Sequence, residues 1–337
     1  MINHMLKNID IFVCPKCKGN LKTTVREIEC QKCHSKYEIK NGIPLFYYEE
    51  QENLPQKAVT SKMKAFYEKT PFPNYENTDD VPGLIQKAQR SIFAYLLNQL
   101  IPYNIRVLEV GCGTGQLANY LGIAHRSAFG ADMCFNSLKL AQQFRDRNEI
   151  ERTGFYQMNL FNPIFKEESF SFVICNGVLH HTGDPYGGFR SIAKLVKKDG
   201  YVIVGLYNKY GRITTDIRRL LFSFFGDRIK ALDPRIRKND INEIRKLTWF
   251  LDQYKNPHES KHTIDEVLGW FDQTGFEFVN SIPKISIFNK FNGKDEDLFE
   301  INSSGNLFER IMCQLILMLS GGGEEGGFFV MIGKRIK

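Results

Sequence analysis

The sequence predicts an α/β fold built on a parallel sheet, with a small metal-stapled module ahead of it. Two observations carry that expectation. From residue 106 to 205, short apolar runs alternate with helical patterns, as strand–helix–strand units require. Within the first 33 residues, Cys14-x-x-Cys17 and Cys30-x-x-Cys33 form two close pairs separated by twelve residues. The chain has 337 residues, 42% of them hydrophobic and 25% charged, a balance that excludes wholesale disorder. No run reaches the roughly 18 apolar residues of a membrane span. The N-terminus has neither a secretory apolar core nor an Arg/Ser-rich transit pattern, so a soluble cytoplasmic protein is expected.

Taken in order, the cysteine pairs come first. Without an export signal, such pairs point to metal rather than disulfides. Four thiolates close a tetrahedral zinc shell, so the site should be structural, and LKTTVREIEC between the pairs reads as a hairpin. GIPLFYY, ending near residue 50, reads as a strand. Next come a short helix over Ser61–Lys69, stopped by Thr70-Pro71, and the aromatic loop Pro71-Phe72-Pro73-Asn74-Tyr75. A second helix over Leu84–Leu100 would place Leu84, Ala88, Ile92, Tyr95 and Leu96 on one face. The runs RVLEV, SAFGAD, GFYQM, SFVICN and YVIVGLY are the candidate strands of the sheet. A basic helical stretch, 207–262, interrupts the pattern. Residues 206–262 hold thirteen Lys and Arg against seven Asp and Glu, a solvated helical face or a surface for an anionic substrate, RNA or membrane. The alternation resumes with a helix over Ile264–Gln273, the strand FEFVNSI, a helix near Leu307–Leu319 and the closing strand FFVMIGKRI. GGGEEGG at 321–327 reads as the turn into that strand.

The most informative stretch is RVLEVGCGTGQL at 106–117. A strand runs into Glu109, then Gly111, Gly113 and Gly115 alternate before a helix. A dinucleotide site would want its third glycine at position 116, which is Gln, and a P-loop would want Gly-Lys-Ser/Thr. Glu109 would repel a pyrophosphate and suit a ligand that carries positive charge. Asp132 ends the second strand, 21 residues after Gly111, where an acid can accept both hydroxyls of a ribose. Asn159-Leu160 follows the third strand and could meet an adenine edge and face. Asn176 and His180-His181 follow the fourth. All lie at carboxyl ends of parallel strands, where open α/β sheets bind ligands. Cys112, Cys134, Cys175 and Cys313 share no metal spacing and read as small buried residues.

In their order, VLEVGCGTG, GAD, MNL, SFVICNGVLHHT and KKDGYVIVG resemble the motifs of class I S-adenosylmethionine (SAM)-dependent methyltransferases. The resemblance covers residues 61–337. It implies a Rossmann-like, doubly wound, seven-stranded sheet whose last strand is antiparallel. It gives Glu109, Gly111, Gly113 and Gly115 the methionine end of SAM, and Asp132 the ribose. Met133 and Asn159–Leu160 would contact adenine, while Asn176 and Val178 would line the floor beneath the sulfonium. The family often has Asp where this chain has Asn159, and Pro-Gly-Gly where it has Lys198-Asp199-Gly200. Residues 9–48 resemble the small zinc-ribbon proteins that bind and activate methyltransferases. The resulting plan is a zinc-ribbon domain at 1–50, a helical lead-in or lid at 51–105, and a methyltransferase domain at 106–337 carrying the basic insert.

Methyl transfer needs nucleophile and methyl carbon held in line and dry, and a base only where the acceptor keeps its proton. His180 or His181 could be that base, or one could be packing and the other hydrogen-bonded to the backbone. Tyr67 in the lid is expected at the acceptor pocket, as are Tyr207, Tyr254, His258 and His262 in the insert. The insert also carries Arg218-Arg219 and Asp252-Gln253. A helix start at Pro257 would put His258 and His262 on one face. HHTGDP and Thr274-Gly275-Phe276 resemble enzymes that methylate metabolites, so O-methylation of a small molecule is the leading expectation. An RNA methyltransferase gripping its substrate through the ribbon and insert is the second, and a non-catalytic SAM-binding scaffold the third. A protein partner engaged by the ribbon is a further expectation.

Overall fold

The computed structural model describes residues 3–24, 27–49, 54–72, 75, 80–226, 232–233, 236–237, 243–286, 289, 291–320 and 327–337. Pro73, Asn74, the glycine-rich 321–326 and most of 227–242 in the insert lie outside them. After a short helix α1 (Asn3–Leu6), four strands form an antiparallel sheet in sequence order: β1 (Leu21–Thr23), β2 (Glu27–Cys30), β3 (Lys36–Lys40) and β4 (Ile43–Pro44). Of GIPLFYY, only Ile43–Pro44 is regular strand. Leu45 and Phe46 instead run beside residue 157 of the main sheet, where Leu45 bridges Gln157 in parallel and the Phe46 N–H donates to the Gln157 carbonyl at 3.0 Å.

Helices α2 (Leu54–Lys69), α3 (Val81–Arg90) and α4 (Ile92–Leu100) follow. The first begins seven residues earlier than the Ser61 expected, because Pro55 is tolerated in a first turn. The single helix expected over Leu84–Leu100 is two. Ser91 is extended (φ −80°, ψ 111°) and its N–H turns back to Lys87 and Ala88. The break lets two apolar faces reach two places: Leu84 and Ala88 pack with Tyr120 and Phe144, while Leu96, Leu97 and Ile101 join the core under the sheet. One straight helix could not bury both.

The remaining elements are β5 (Arg106–Val110), α5 (Gln116–Ile123), β6 (Ser127–Asp132), α6 (Phe135–Arg147), β7 (Thr153–Gln157), β8 (Phe170–Asn176), α7 (Pro185–Ala193), β9 (Val196–Tyr207), α8 (Ile213–Phe225), α9 (Glu243–Tyr254), α10 (Ile264–Thr274), β10 (Phe276–Ile282), α11 (Leu307–Ser320) and β11 (Phe328–Arg335). The seven-stranded sheet runs β10-β11-β9-β8-β5-β6-β7, and β11 lies antiparallel to both neighbours. Strands 5, 6, 7, 8 and 9 pair in parallel. A pairing at each motif strand buries an almost continuous apolar run, as a sheet covered on both faces demands.

The cysteine-bearing sheet covers the β7 edge and shares its core. Phe12 packs 5.0 Å from both Tyr156 and Phe165, and Phe129 sits 5.2 Å from Phe170. Cys14, Ile28, Tyr37 and Phe46 belong to the same buried cluster. An edge strand left open would invite pairing with another chain, so this cover has a structural purpose. No described helix is long and apolar enough to cross a membrane.

Candidate active site

From β5 the chain turns to β6 on one side, while β8 lies on the other, so the crevice opens above the carboxyl ends of these strands. A cavity of about 640 Å³ occupies that crevice. Its floor is the glycine loop. Gly111 has φ +70°, and a Cβ there would sit 2.2 Å from Val178 Cγ2, so this close approach admits no side chain. The Glu109 carboxylate accepts the Ala118 N–H at 2.9 Å at the start of α5. Removal from bulk water pushes its pKa up to about 8, against the opposing pull of that hydrogen bond. Asp132 accepts the Gly113 N–H at 2.9 Å and the Cys134 N–H at 2.8 Å, and burial still raises its pKa.

Met133, Asn159 and Leu160 close the other end of this half. The Met133 carbonyl accepts from Gln157 Nε2 at 3.0 Å. Asn159 Oδ1 accepts the Phe161 N–H at 3.1 Å, and its Nδ2 donates to the Tyr48 carbonyl at 3.3 Å. An Asp at this position could not make the second bond, so the departure from the common pattern coincides with the contact to the cysteine-bearing segment.

Beyond Asn176 and Val178, His180 and His181 form the next wall with Tyr67 and Tyr207. The His181 Nδ1 lies 2.8 Å from the His258 carbonyl, which can only accept, so Nδ1 carries the proton and Nε2 keeps its lone pair. Burial lowers the His181 pKa while Asp252 opposes the shift, and burial holds His180 well below the ordinary range. The His180 ring sits 4.5 Å from that of Tyr207 and 4.2 Å from that of His181, and its buried Nδ1 has no protein partner. The roof comes from α2 and α9. Tyr67 Oη donates to Asp252 at 2.8 Å and accepts from Asn256 at 3.1 Å. On α2, Glu68 also accepts the Phe135 and Asn136 N–H groups at 2.7 and 2.9 Å, capping α6 from outside.

Several expected residues lie elsewhere. Gly115 caps α5 at φ +70° and faces Phe155 and Ala141 rather than the cavity. Tyr254 points into the insert, packing on Phe222 and bonding Asp233. The segment holding His258 and His262 is not helical, because neighbouring loops take up its backbone: Ser260 N–H donates to the His180 carbonyl at 2.7 Å and His262 N–H to that of Tyr207 at 2.9 Å. His258 Nε2 contacts the Thr182 carbonyl at 3.1 Å, and His262 stands on Trp270 with centroids 5.2 Å apart. Neither lines the cavity.

Asp252, Gln253 and Trp249 do, from one face of α9. Behind them Arg212 is fully buried. It donates to Gln253 Oε1 at 2.7 Å and to Glu259 Oε1 at 3.0 Å, and stacks 3.6 Å above the Tyr207 ring. Arg219 binds both oxygens of Glu259 at 3.1 and 2.8 Å. The i, i+3, i+4 spacing of Trp249, Asp252 and Gln253 was the available signal for this face.

The four Sγ atoms of Cys14, Cys17, Cys30 and Cys33 lie within 4.8 Å of one another, with Cys14–Cys33 at 3.6 Å and Cys17–Cys30 at 3.4 Å. A tetrahedral zinc with bonds of about 2.3 Å sets its sulfurs about 3.8 Å apart, so the cluster fits such an ion. The Lys32 and Cys33 N–H groups point at Cys30 Sγ at 3.4 and 3.5 Å, and Lys18 and His34 turn both knuckles at φ +57° and +56°.

Residues 84–281 match a family described as a methyltransferase domain. An uncharacterized protein of Synechococcus sp. is 25% identical over 251 residues, 66% of this chain and 60% of that protein. A ubiquinone biosynthesis O-methyltransferase of Neisseria meningitidis is 36% identical over 108 residues, 31% of this chain and 44% of that enzyme. The chain thus spans between two fifths and three fifths of these relatives' lengths. Among solved structures, PKMT2 of Rickettsia typhi in complex with AdoHcy aligns with a TM-score of 0.51 at 15% identity, over 74% of this chain and 52% of that one. The family match extends over more than half of the chain and takes in the motif strands beneath the cavity, so this chain belongs to the methyltransferase-domain family.

Proposed function

We propose that this chain methylates a hydroxyl of a small-molecule acceptor, with His181 as the general base. The observation that carries this reading is the roofed chamber. A space of about 640 Å³ bridged above by the Tyr67–Asp252 and Tyr67–Asn256 bonds suits a small molecule beside the cofactor better than a polymer. SAM supplies an electrophilic methyl on a sulfonium. In this reading Glu109 and the backbone at Gly111 and Gly113 take its methionine end and Asp132 its ribose. Met133, Asn159 and Leu160 surround its adenine, and Asn176 with Val178 lies beneath the sulfonium. Gly115 serves indirectly by letting α5 start where it does. His181 suits the role of base because its tautomer is fixed by the His258 carbonyl and burial keeps it neutral at pH 7. His180, with Nδ1 unpartnered, suits a hydrogen bond to the acceptor.

Four of the insert's thirteen Lys and Arg are paired within it: Arg212 and Arg219 on Glu259, Lys261 on Asp216, Lys246 on Glu243. That weakens the case for an RNA grip. The cysteine cluster holds a structural zinc in this reading, and the ribbon serves the domain it covers. The test is transfer of labelled methyl from SAM into an extract of cells lacking the protein, split into metabolite, RNA and protein fractions. Label in the metabolite fraction that is absent with H181Q supports the proposal. Ribonuclease-sensitive label in the RNA fraction, or undiminished transfer by H181Q, overturns it.

A further inference from the structure

We infer that Asp252 is the positioning residue whose negative charge allows His181 to accept the acceptor's proton. This rests on the proposed role of His181. In the transfer, the acceptor oxygen bonds the methyl carbon, the carbon–sulfur bond breaks with its electron pair left on sulfur, and the acceptor proton passes to His181 Nε2. One positive charge disappears at the sulfonium and reappears on a buried imidazole.

The wall around that imidazole is otherwise balanced or positive. Arg212 and Arg219 share the single carboxylate of Glu259. His180 and His262 are kept neutral by burial, while Tyr67 and Tyr207 hold their protons, that of Tyr207 up to about 12. His258 contributes its carbonyl to His181 and turns its own ring to Thr182. Asp216 is matched by Lys261 and also lies 3.8 Å from Arg219, and Glu266 beside His262 is half exposed; among the described residues Asp252 is the buried acid of this network that has no ion-pair partner. Its oxygens accept only from neutral donors, Tyr67 Oη at 2.8 Å and Gln253 Nε2 at 2.9 Å. The orientation of that amide is fixed, because Arg212 can only donate and so holds Gln253 Oε1. Asp252 is therefore buried, hydrogen-bonded and, among the described residues, not cancelled by a direct ion pair, beside the Tyr67 ring that stands 5.9 Å from His181. With it, the two guanidinium charges are matched by two carboxylates before transfer, and the pocket carries one net positive charge after it. Without it, the imidazolium would form in a desolvated pocket that already carries a net positive charge.

The experiment is a histidine NMR titration of the full-length protein saturated with S-adenosylhomocysteine, with His181 assigned from the spectrum of H181Q. D252N should lower the His181 midpoint by about one pH unit. It should leave SAM affinity within about twofold and cut transfer into the fraction labelled by the wild type at least about tenfold. Y67F removes a neutral donor but keeps the charge, so its midpoint should not fall, which separates the charge effect from damage to the roof. An unmoved midpoint in D252N, or SAM affinity falling in step with turnover, overturns the inference. If H181Q retains full transfer, the proposed base is wrong; if H181Q is inactive and D252N behaves as wild type, only the present inference is.

Discussion

Glu109 offers the most direct quantitative test of the cofactor half of the site. Its carboxyl titrates at about 8 in the free protein because it is removed from water with one backbone hydrogen bond in compensation. A carboxyl with that pKa is about nine-tenths protonated at pH 7. If it faces the ammonium of SAM, binding selects the ionised form and lowers its pKa, so binding must expel the proton. Calorimetric titration with SAM at pH 7, in two buffers of different ionisation enthalpy, should therefore show release of about 0.9 proton per site. The dissociation constant should improve about tenfold from pH 6 to pH 7 and level off above about 8. E109Q should bind more weakly and release none. The linkage has a stability side with the opposite sign. The raised pKa means that the folded apo protein holds this proton more tightly than the unfolded chain, a contribution complete below about 4.5 and lost as pH rises to about 8. E109Q should accordingly lose less stability than wild type between pH 6 and 8.5. Release of less than about 0.1 proton, with equal affinity at pH 6 and 7, would refute the pairing of Glu109 with the ammonium.

Three other perturbations have clear outcomes. G111A puts a methyl 2.2 Å from Val178 at φ +70°, and should cost about 1–3 kcal/mol of stability together with most SAM binding, read by denaturant unfolding and calorimetry. E259Q removes the buried carboxylate that pairs directly with Arg212 and Arg219 and should destabilise by about 3–5 kcal/mol, seen as a lower urea midpoint. Stripping metal with a chelator should release about one zinc per chain and weaken SAM binding severalfold, because the ribbon's exit carries the Tyr48 carbonyl that holds Asn159. Metal-free protein that binds SAM as tightly as before would show that the ribbon has no hold on the pocket.

The sheet was legible because each of its strands is a local feature: an apolar run, a turn and a helix in consecutive sequence. That Gly111, Gly113, Asp132, Asn159 and Asn176 would meet at one cavity was legible for the same reason, since each sits at a fixed offset from a strand end. The cysteine cluster needed only two spacings. The break at Ser91 was not legible, because it depends on which clusters Leu84 and Leu96 bury against, and periodicity reads one face at a time. The spacing of His258 and His262 suggested a helix that the backbone bonds to His180 and Tyr207 prevent, a tertiary demand overriding a local one.

The acceptor end was the least legible part for a reason that bears on how it works. Tyr67, Tyr207, Arg212, Gln253 and Glu259 come from α2, the end of β9 and both sides of the insert, up to 192 positions apart. None carries a motif, and Arg212 in isolation looked like one more charge in a basic segment. Their meaning lies in saturation: the Arg212 guanidinium, the Glu259 carboxylate and the Gln253 amide are each oriented by another member, so no one of them could change partner without stranding a buried charge. A network of that kind gives a roof a single closed geometry. It also means that the polarity facing the acceptor is set by groups whose bonding capacity is not exhausted by the protein, His180 Nδ1, His181 Nε2 and the Asp252 carboxylate, and the last two are the pair on which the proposed chemistry depends.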